Sequence, residues 1–262
     1  MTERVTRSWP IKKYDGKTWR DQEDEIAVEY PLTVMIDGEE FATMVCTPVH
    51  LEELVIGFLA SEGMIRTTDE LSTLTISEQR GYAYAELKNK PSAAMDHHSK
   101  RFIGSCCGKS RQFYFHNDVK TAKTVTSKLT VTISQCQQLM SSLQEGSQHF
   151  QQTGGVHNAA VCTADGIIAA RTDIGRHNAL DKLYGYCLQN RLSLGDKIIV
   201  VSGRISSEVL LKTAKIGAGI LLSKAAPTDL ALELAHDLGI TTVGFIRGQT
   251  CNVYTHPQRI LT

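Results

Sequence analysis

Two adjacent cysteines, Cys106 and Cys107, are the residues of this chain best suited to covalent chemistry. They lie in the run GSCCGKS, and the nearby cations are Lys100, Arg101, Lys109 and Arg111. A disulfide between sequence neighbours closes a strained ring, whereas clustered cations favour the thiolate, which is the nucleophile of sulfur transfer. The run therefore predicts a reactive thiol. The alternatives are a surface loop with incidental thiols and a redox-sensing pair.

The other cysteines and the histidines do not show a metal-binding pattern. His97, His98 and His116 lie near the cysteine pair in sequence, but adjacent cysteines rarely chelate one tetrahedral ion and the usual spacing between ligands is absent. We therefore expect no metal site. Seven cysteines are an odd number for a disulfide framework, and Cys162 and Cys187 lie in apolar segments that predict buried, reduced thiols.

Length and composition indicate a chain with a large core. Its 262 residues are 42% hydrophobic, enough for one large domain or two small ones. Twenty-eight basic residues balance twenty-eight acidic ones, which argues against general binding to nucleic acid or to a membrane surface. The sequence contains neither a signal peptide nor an apolar run of about 18 residues. We expect a cytoplasmic protein that holds any anionic ligand at a local site.

Apolar patterning divides the chain into a mixed first third and an alternating remainder. Segments 32–36 and 41–45 flank Asp37-Gly38 and predict a hairpin. A helix capped by Thr47 should follow, and then strands at 74–77 and 82–87.

From about residue 125, helices and apolar strands alternate, which predicts an α/β sandwich with a mostly buried sheet. The predicted helices are 134–143, 176–189, 206–216 and 228–238. The predicted strands are 159–163, 167–170, 197–202, 219–222, 241–246 and 253–255.

Polar clusters fall where predicted strands lead into helices. Segment 171–178 places Arg176 and His177 at a helix start, and segment 202–208 places Arg204 after a glycine. Helix-start amides and arginines bind phosphate, although neither cluster matches a Walker A loop or a GxGxxG fingerprint. The alternative is a capped helix, with Asp173 as the cap and His177 bonded inside the fold. For any one arginine, the alternative is a surface ion pair.

The last long predicted strand ends in polar residues that could recognise the edge of a base or a pterin. This segment consists of Phe245, Ile246, Arg247, Gly248, Gln249 and Thr250. The alternative is a plain turn before the predicted edge strand at 253–255.

Taken together, these segments resemble the formate dehydrogenase accessory sulfurtransferase family, commonly called FdhD. Besides the cysteine run, the motifs that carry the resemblance are Glu29-Tyr30-Pro31-Leu32, 53–65, 153–159, 173–182, 202–208, 226–228 and 254–257. They occur in the family's order over most of the chain. One difference concerns the cysteines, which the family commonly separates by two residues and follows each by glycine. Here they are contiguous, and only Cys107 precedes a glycine.

The resemblance implies a sulfurtransferase that acts through a cysteine persulfide. Such a protein takes sulfur from a cysteine desulfurase and passes it to the molybdenum or tungsten bis(molybdopterin guanine dinucleotide) cofactor, its bound substrate, for formate dehydrogenase. Cys107 is expected to carry the persulfide with Cys106 as the auxiliary thiol, and the reverse assignment stays open. The second interpretation is a non-catalytic chaperone for the molybdenum cofactor whose cysteine pair senses redox state.

The resemblance also implies a fold and a cofactor site. Residues 121–262 should form a three-layer sandwich like that of cytidine deaminases, and residues 1–120 a smaller α+β portion ending in a mobile cysteine loop. The deaminase zinc site does not carry over, because His157-Asn158-Ala159 replaces His-x-Glu and the paired cysteines are absent, so no zinc is expected. The guanine nucleotide ends would contact Arg176, His177, Arg204 and residues 245–250. A homodimer is also expected.

Overall fold

The structure, a computed structural model, describes residues 5–89, 102–103, 122, 124–147 and 153–262. In chain order the strands are β1 (Thr6–Tyr14), β2 (Trp19–Ala27), β3 (Tyr30–Ile36), β4 (Glu39–Cys46), β5 (Leu71–Ser77), β6 (Tyr82–Leu87), β7 (Phe102–Ile103), β8 (Val131–Thr132), β9 (His157–Thr163), β10 (Gly166–Asp173), β11 (Ile198–Val201), β12 (Ile220–Ser223), β13 (Thr241–Arg247), β14 (Thr250–Thr255) and β15 (Ile260–Leu261). The α-helices are α1 (Leu51–Ser61), α2 (Ile133–Glu145), α3 (Arg176–Gln189), α4 (Ser207–Ile216) and α5 (Asp229–Leu238). In this part of the chain no helix combines the length and the apolarity that crossing a bilayer requires.

The N-terminal third forms a five-stranded sheet in the order β5-β6-β3-β4-β7. The predicted hairpin is confirmed: β3 and β4 pair across Asp37 and Gly38, whose positive φ values of 49° and 86° suit a two-residue hairpin turn. At the edge of the sheet, β7 runs parallel to β4, with Ile103 opposite Met44. These two strands therefore end on the same side of the sheet.

Strands β1 and β2 form a separate antiparallel ribbon that the sequence patterning did not predict. Most of their side chains are exposed, including Trp9 and Trp19. A ribbon without a buried face has no alternation of apolar and polar residues, which is the signal that identifies a half-buried strand.

The second half of the chain forms a six-stranded sheet in the order β10-β9-β11-β12-β13-β14. The three strands β11, β12 and β13 are parallel, and the outer pairings are antiparallel. As a result, β10, β11, β12 and β13 end on the side of the sheet where β9 and β14 begin. We call this side the carboxyl edge, and it comprises residues 157–158, 173–176, 202–206, 223–228 and 245–250.

Helices cover both faces of the six-stranded sheet. Helix α2 packs on one face with its buried residues Cys136, Leu139, Met140 and Leu143, and α3, α4 and α5 cover the other face. Strands β11 and β12 are buried throughout, as their continuous apolar sequences predict. The predicted α/β class is confirmed, whereas the likeness to cytidine deaminases remains a prediction.

Helices α1 and α3 cross at very short range and join the two large sheets. A Cβ built on Gly57 would lie 1.7 Å from the carbonyl oxygen of Asp181, and one on Gly185 would lie 1.9 Å from the carbonyl oxygen of Glu53. Only glycine permits this approach of the two backbones. The main core runs from the five-stranded sheet through this crossing into the six-stranded sheet. The division into two portions near residue 120 is still a prediction.

Candidate functional site

The predicted catalytic residues, Cys106 and Cys107, lie outside the described residues. Strand β7 ends at Ile103, three positions before Cys106 in the sequence. Its parallel neighbour β4 is followed directly by Thr47, which hydrogen-bonds to the turn between β10 and α3. The strand that precedes the cysteine pair therefore runs toward the end of β10, at the carboxyl edge.

The five described cysteines are poorly suited to thiolate chemistry. Four of them, Cys46, Cys136, Cys162 and Cys187, are buried free thiols, and burial raises the pKa of each to about 12. This confirms the prediction for Cys162 and Cys187. Burial also raises the pKa of Cys251, which is partly exposed. All five therefore stay protonated at neutral pH.

Asp173 is a buried carboxylate that holds the fold together. Its side chain pairs with Lys182 at 2.7 Å, and neither side chain is accessible to solvent. It also accepts hydrogen bonds from the backbone N–H groups of Thr47 and Gly175 and from the side-chain amide of Asn178. Helix α3 begins without a side-chain cap. The interpretation of Asp173 as a helix cap is therefore wrong.

Thr47 is also not a helix cap. Helix α1 begins after His50, which has a left-handed backbone with φ of 53°. The hydroxyl of Thr47 instead accepts a hydrogen bond from the N–H of Ile174 at 3.0 Å. The predicted cap is wrong because the hydroxyl finds its partner 127 residues further along the chain.

Arg176 and Arg204 meet at a small cavity in the carboxyl edge. Asn158, Leu180, Val201, Gly203 and Val209 complete its lining. The cavity measures about 10 Å³, no more than one water molecule needs, so a larger ligand would lie at its mouth. Arg204 is exposed, and the structure gives it no ion pair among the residues it describes. The buried Nε of Arg176 has no hydrogen-bond partner among those same residues.

His157 is a further candidate residue beside Gly203, which lines this cavity, and the sequence alone assigns His157 no role in binding. It lies opposite Asp173 in the sheet, and its Nδ1 would be 3.3 Å from a Cβ added to Gly203. Burial lowers the pKa of His157, as does the positive charge of Arg176, while the Asp173 carboxylate acts in the opposite direction. A neutral imidazole at pH 7 has one donor and one acceptor nitrogen for a ligand.

His177 contacts a carboxylate of the neighbouring helix. Its Nε2 lies 3.0 Å from Oε2 of Glu208, and both side chains are partly buried. The pair joins the first turns of α3 and α4, which both begin at the carboxyl edge. A structural role for His177 is therefore supported by this contact, and cofactor binding by His177 stays a prediction.

Residues 245–250 form the tip of the β13–β14 hairpin, two strands away from Arg204. Phe245 has a left-handed backbone with φ of 52°, which is uncommon for a bulky residue and is often found at functional sites. The guanidinium of Arg247 lies 5.3 Å from the centre of the Phe245 ring. The exposed turn is Gly248-Gln249, and the hydroxyl of Thr250 donates to the carbonyl oxygen of Arg247. The tip thus presents an exposed cation and an exposed amide side chain.

Ile246 differs from the rest of this segment. Its side chain is 1% exposed and belongs to the core beneath α2, so it can meet a ligand only through its backbone. Neighbouring strands lie about 4.8 Å apart, which puts the end of β13 about 10 Å from the end of β11. A single nucleotide is long enough to bridge that distance.

Metal ligands do not cluster in the part of the chain that the structure covers, where no three side chains of His, Cys, Asp or Glu could hold an ion together. His97, His98 and His116 lie outside the described residues, as the cysteine pair does. The expected absence of a metal site therefore remains untested.

The fold and the site together define an α/β protein with arginines at the carboxyl edge of its sheet and a strand that runs toward that edge and precedes the cysteine pair in the chain. A profile of the FdhD/NarQ family matches residues 27–261. The chain belongs to this family, which confirms the resemblance found in the sequence.

Named relatives agree with this assignment, and a solved structure shares the fold. A protein from Geobacillus kaustophilus named sulfur carrier protein FdhD is 60% identical over 252 residues, 96% of each chain. A protein of the same name from Bacillus subtilis is 54% identical over 260 residues, 99% of each chain. A crystal structure from Desulfotalea psychrophila, described as a candidate formate dehydrogenase accessory protein, matches with a TM-score of 0.80 over 98% of this chain and 100% of its own. At 23% identity, that structure shows a shared fold.

Proposed function

We propose that this chain is a sulfurtransferase that takes persulfide sulfur from a cysteine desulfurase and transfers it to the bis(molybdopterin guanine dinucleotide) molybdenum cofactor of formate dehydrogenase. Family membership and the names of its relatives support the sulfur-carrier role. The observation that carries the proposal is the parallel pairing of β7 with β4, because it directs the strand before Cys106 toward the edge that holds Arg176 and Arg204.

Sulfur loading requires a thiolate and no net oxidation. The Cys107 thiolate attacks the terminal sulfur of the desulfurase persulfide, so a new S–S bond forms as the old one breaks and the desulfurase cysteine leaves as a thiolate. The five described cysteines compete poorly with Cys107 for the persulfide sulfur, because their raised pKa values keep them protonated.

Release of the sulfur as hydrosulfide needs a pair of electrons. The Cys106 thiolate supplies them by attacking the Cys107 sulfur, which forms a disulfide between the two cysteines and expels hydrosulfide. Strain makes a disulfide between sequence neighbours easy to reduce, so it is a transient intermediate. An external thiol then reduces this disulfide. If Cys106 is the carrier, the two residues exchange roles and the balance is the same.

The carboxyl edge offers the groups that a guanine dinucleotide needs. Phosphate oxygens can accept hydrogen bonds from Arg176 and Arg204, next to the starts of α3 and α4, where helix dipoles favour negative charge. At the hairpin tip, Arg247 and Gln249 are exposed donors for a base edge. The cofactor enters this scheme as the substrate that receives sulfur.

Separating sulfur loading from nucleotide binding tests the proposal. Cys107→Ala should abolish activation of formate dehydrogenase while GDP binds with unchanged affinity. Arg204→Ala should weaken GDP binding roughly 10- to 150-fold, because a charge-assisted hydrogen bond contributes about 1.5–3 kcal/mol. Its sulfur loading by the desulfurase should be unchanged.

Arg191→Ala is the matched control for Arg204→Ala. Arg191 is an exposed arginine paired with Asp69, and it follows the far end of α3, about 21 Å from Arg176. GDP affinity should be unchanged in this variant. Normal GDP binding by Arg204→Ala together with normal activation by Cys107→Ala would contradict the proposal. Activation that survives loss of both Cys106 and Cys107, but not loss of Arg204, would favour the non-catalytic chaperone.

We also propose a homodimer that acts in the cytoplasm. The exposed ribbon of β1 and β2 supports an intermolecular contact, because an isolated two-stranded ribbon is marginally stable in water. Sedimentation equilibrium of the full chain measures the oligomeric state, and a monomer at all concentrations would contradict the dimer.

A further inference from the structure

Thr47 is completely buried between the two large sheets, and each of its polar groups has a partner across the junction. Its N–H donates to Oδ2 of Asp173 at 3.0 Å, and its hydroxyl accepts from the N–H of Ile174 at 3.0 Å. Its carbonyl oxygen accepts from Nζ of Lys182 at 2.9 Å. All three partners belong to β10, to α3 or to the turn between them.

The position of Thr47 in the chain connects it to both halves of the proposed site. It directly follows β4, the parallel neighbour of β7, and β7 ends three residues before Cys106. Its hydroxyl partner Ile174 lies two residues before Arg176, in the turn that begins α3. Thr47 is therefore a direct hydrogen-bonded link between the sheet that leads to the cysteine pair and the helix start that carries Arg176.

We propose that Thr47 is a positioning residue for sulfur transfer, whose hydroxyl bond to Ile174 fixes the β4–β7 strands relative to the start of α3. This inference rests on the proposed function and deepens it. The two backbone bonds of Thr47 survive any substitution that keeps the backbone in place, so the hydroxyl is the part of the link that depends on residue type. Transfer between two anchored groups is sensitive to displacements of about 1 Å, whereas loading from a separate protein does not require this junction.

Thr47→Val removes the hydroxyl and keeps the side-chain shape. Thr47→Ser keeps the hydroxyl and is the conservative rescue. The matched control is Thr33→Val, which removes another threonine hydroxyl bond, that between Thr33 and Thr43, from the same five-stranded sheet. Three quantities are measured for each protein: sulfur loaded by the desulfurase, GDP affinity, and the rate constant of formate dehydrogenase activation by the preloaded protein.

Thr47→Val should lower the activation rate constant about tenfold, the effect of one buried hydrogen bond. Loading and GDP affinity should stay at the wild-type values, Thr47→Ser should recover most of the rate, and Thr33→Val should behave as wild type. If Thr47→Val does not fold, Thr47→Ser and Thr47→Ala decide the same question, because they differ by the hydroxyl alone.

A wild-type activation rate in Thr47→Val, or in Thr47→Ala where that variant replaces it, would overturn the inference. So would an equal loss of rate in Thr33→Val, because the effect would then reflect general destabilisation of the sheet. Failure of the wild-type protein to load sulfur would instead overturn the proposed function, so the two failures are distinguishable.

Discussion

Replacing Asp173 with asparagine should remove a large part of the free energy of unfolding. The Asp173 carboxylate and the Lys182 ammonium are 2.7 Å apart with no solvent access. In Asp173→Asn the ammonium keeps two carbonyl acceptors, those of Thr47 and Thr172, but loses its counter-charge. Breaking a buried pair by removing one partner costs about 3–5 kcal/mol, and a folded domain is stable by only about 5–15 kcal/mol.

The reverse change, Lys182→Met, should cost less than Asp173→Asn. It leaves the carboxylate with three N–H donors, from Thr47, Gly175 and Asn178, which still stabilise its negative charge. Equilibrium unfolding in urea, followed by far-ultraviolet circular dichroism, measures both losses. Asp69→Asn is the control, because its pair with Arg191 is exposed and should leave the unfolding midpoint nearly unchanged. A loss below about 1 kcal/mol in Asp173→Asn, or a larger loss in Lys182→Met, would refute the reasoning.

Gly57→Ala should destabilise the chain by at least about 1–3 kcal/mol, because the new Cβ would overlap the carbonyl oxygen of Asp181. Thermal denaturation compares this variant with Gly195→Ala, whose new Cβ would have open space around it. Equal unfolding midpoints for the two variants would contradict the prediction. Because the folded-state pKa of His157 is lowered, the unfolded chain binds more protons below about pH 6.5, so stability should fall as the pH drops from about 7 to 5. His157→Gln should flatten that fall in urea titrations, and an unchanged pH profile would show that His157 does not contribute to it. The four buried thiols have pKa values of about 12, so they should not react with a thiol-specific reagent at neutral pH until the protein is unfolded. Rapid labelling of Cys46 or Cys187 in the native protein would contradict this prediction.

Regular elements with one apolar face could be predicted from the sequence. Helix α3 spans the predicted residues 176–189, because its apolar positions repeat with the helical period and Gly175 precedes it. The β3–β4 hairpin was predicted from Asp37-Gly38 for the same kind of local reason. Strands β1 and β2 were missed because their exposed faces leave no periodic signal.

Contacts between distant segments could not be predicted. The sequence predicts helix caps at Asp173 and Thr47, since capping is the local use of such residues, but the two bond to each other across 126 residues of sequence. The sequence predicts a ligand contact for Ile246 together with its polar neighbours, although its strand position turns its side chain into the core. The proximity of Arg176 and Arg204 could be predicted in part, because both residues follow strands that end at the same edge of the sheet.

The location of transferred sulfur tests the central claim most directly. The folded, reduced protein is incubated with a cysteine desulfurase and cysteine, digested without reductant and examined by mass spectrometry. The sulfur-carrier proposal predicts one added sulfur atom on the peptide that contains Cys106 and Cys107, removed by treatment with a thiol. Absence of added sulfur on that peptide, or its appearance on one of the buried cysteines instead, would contradict the proposal.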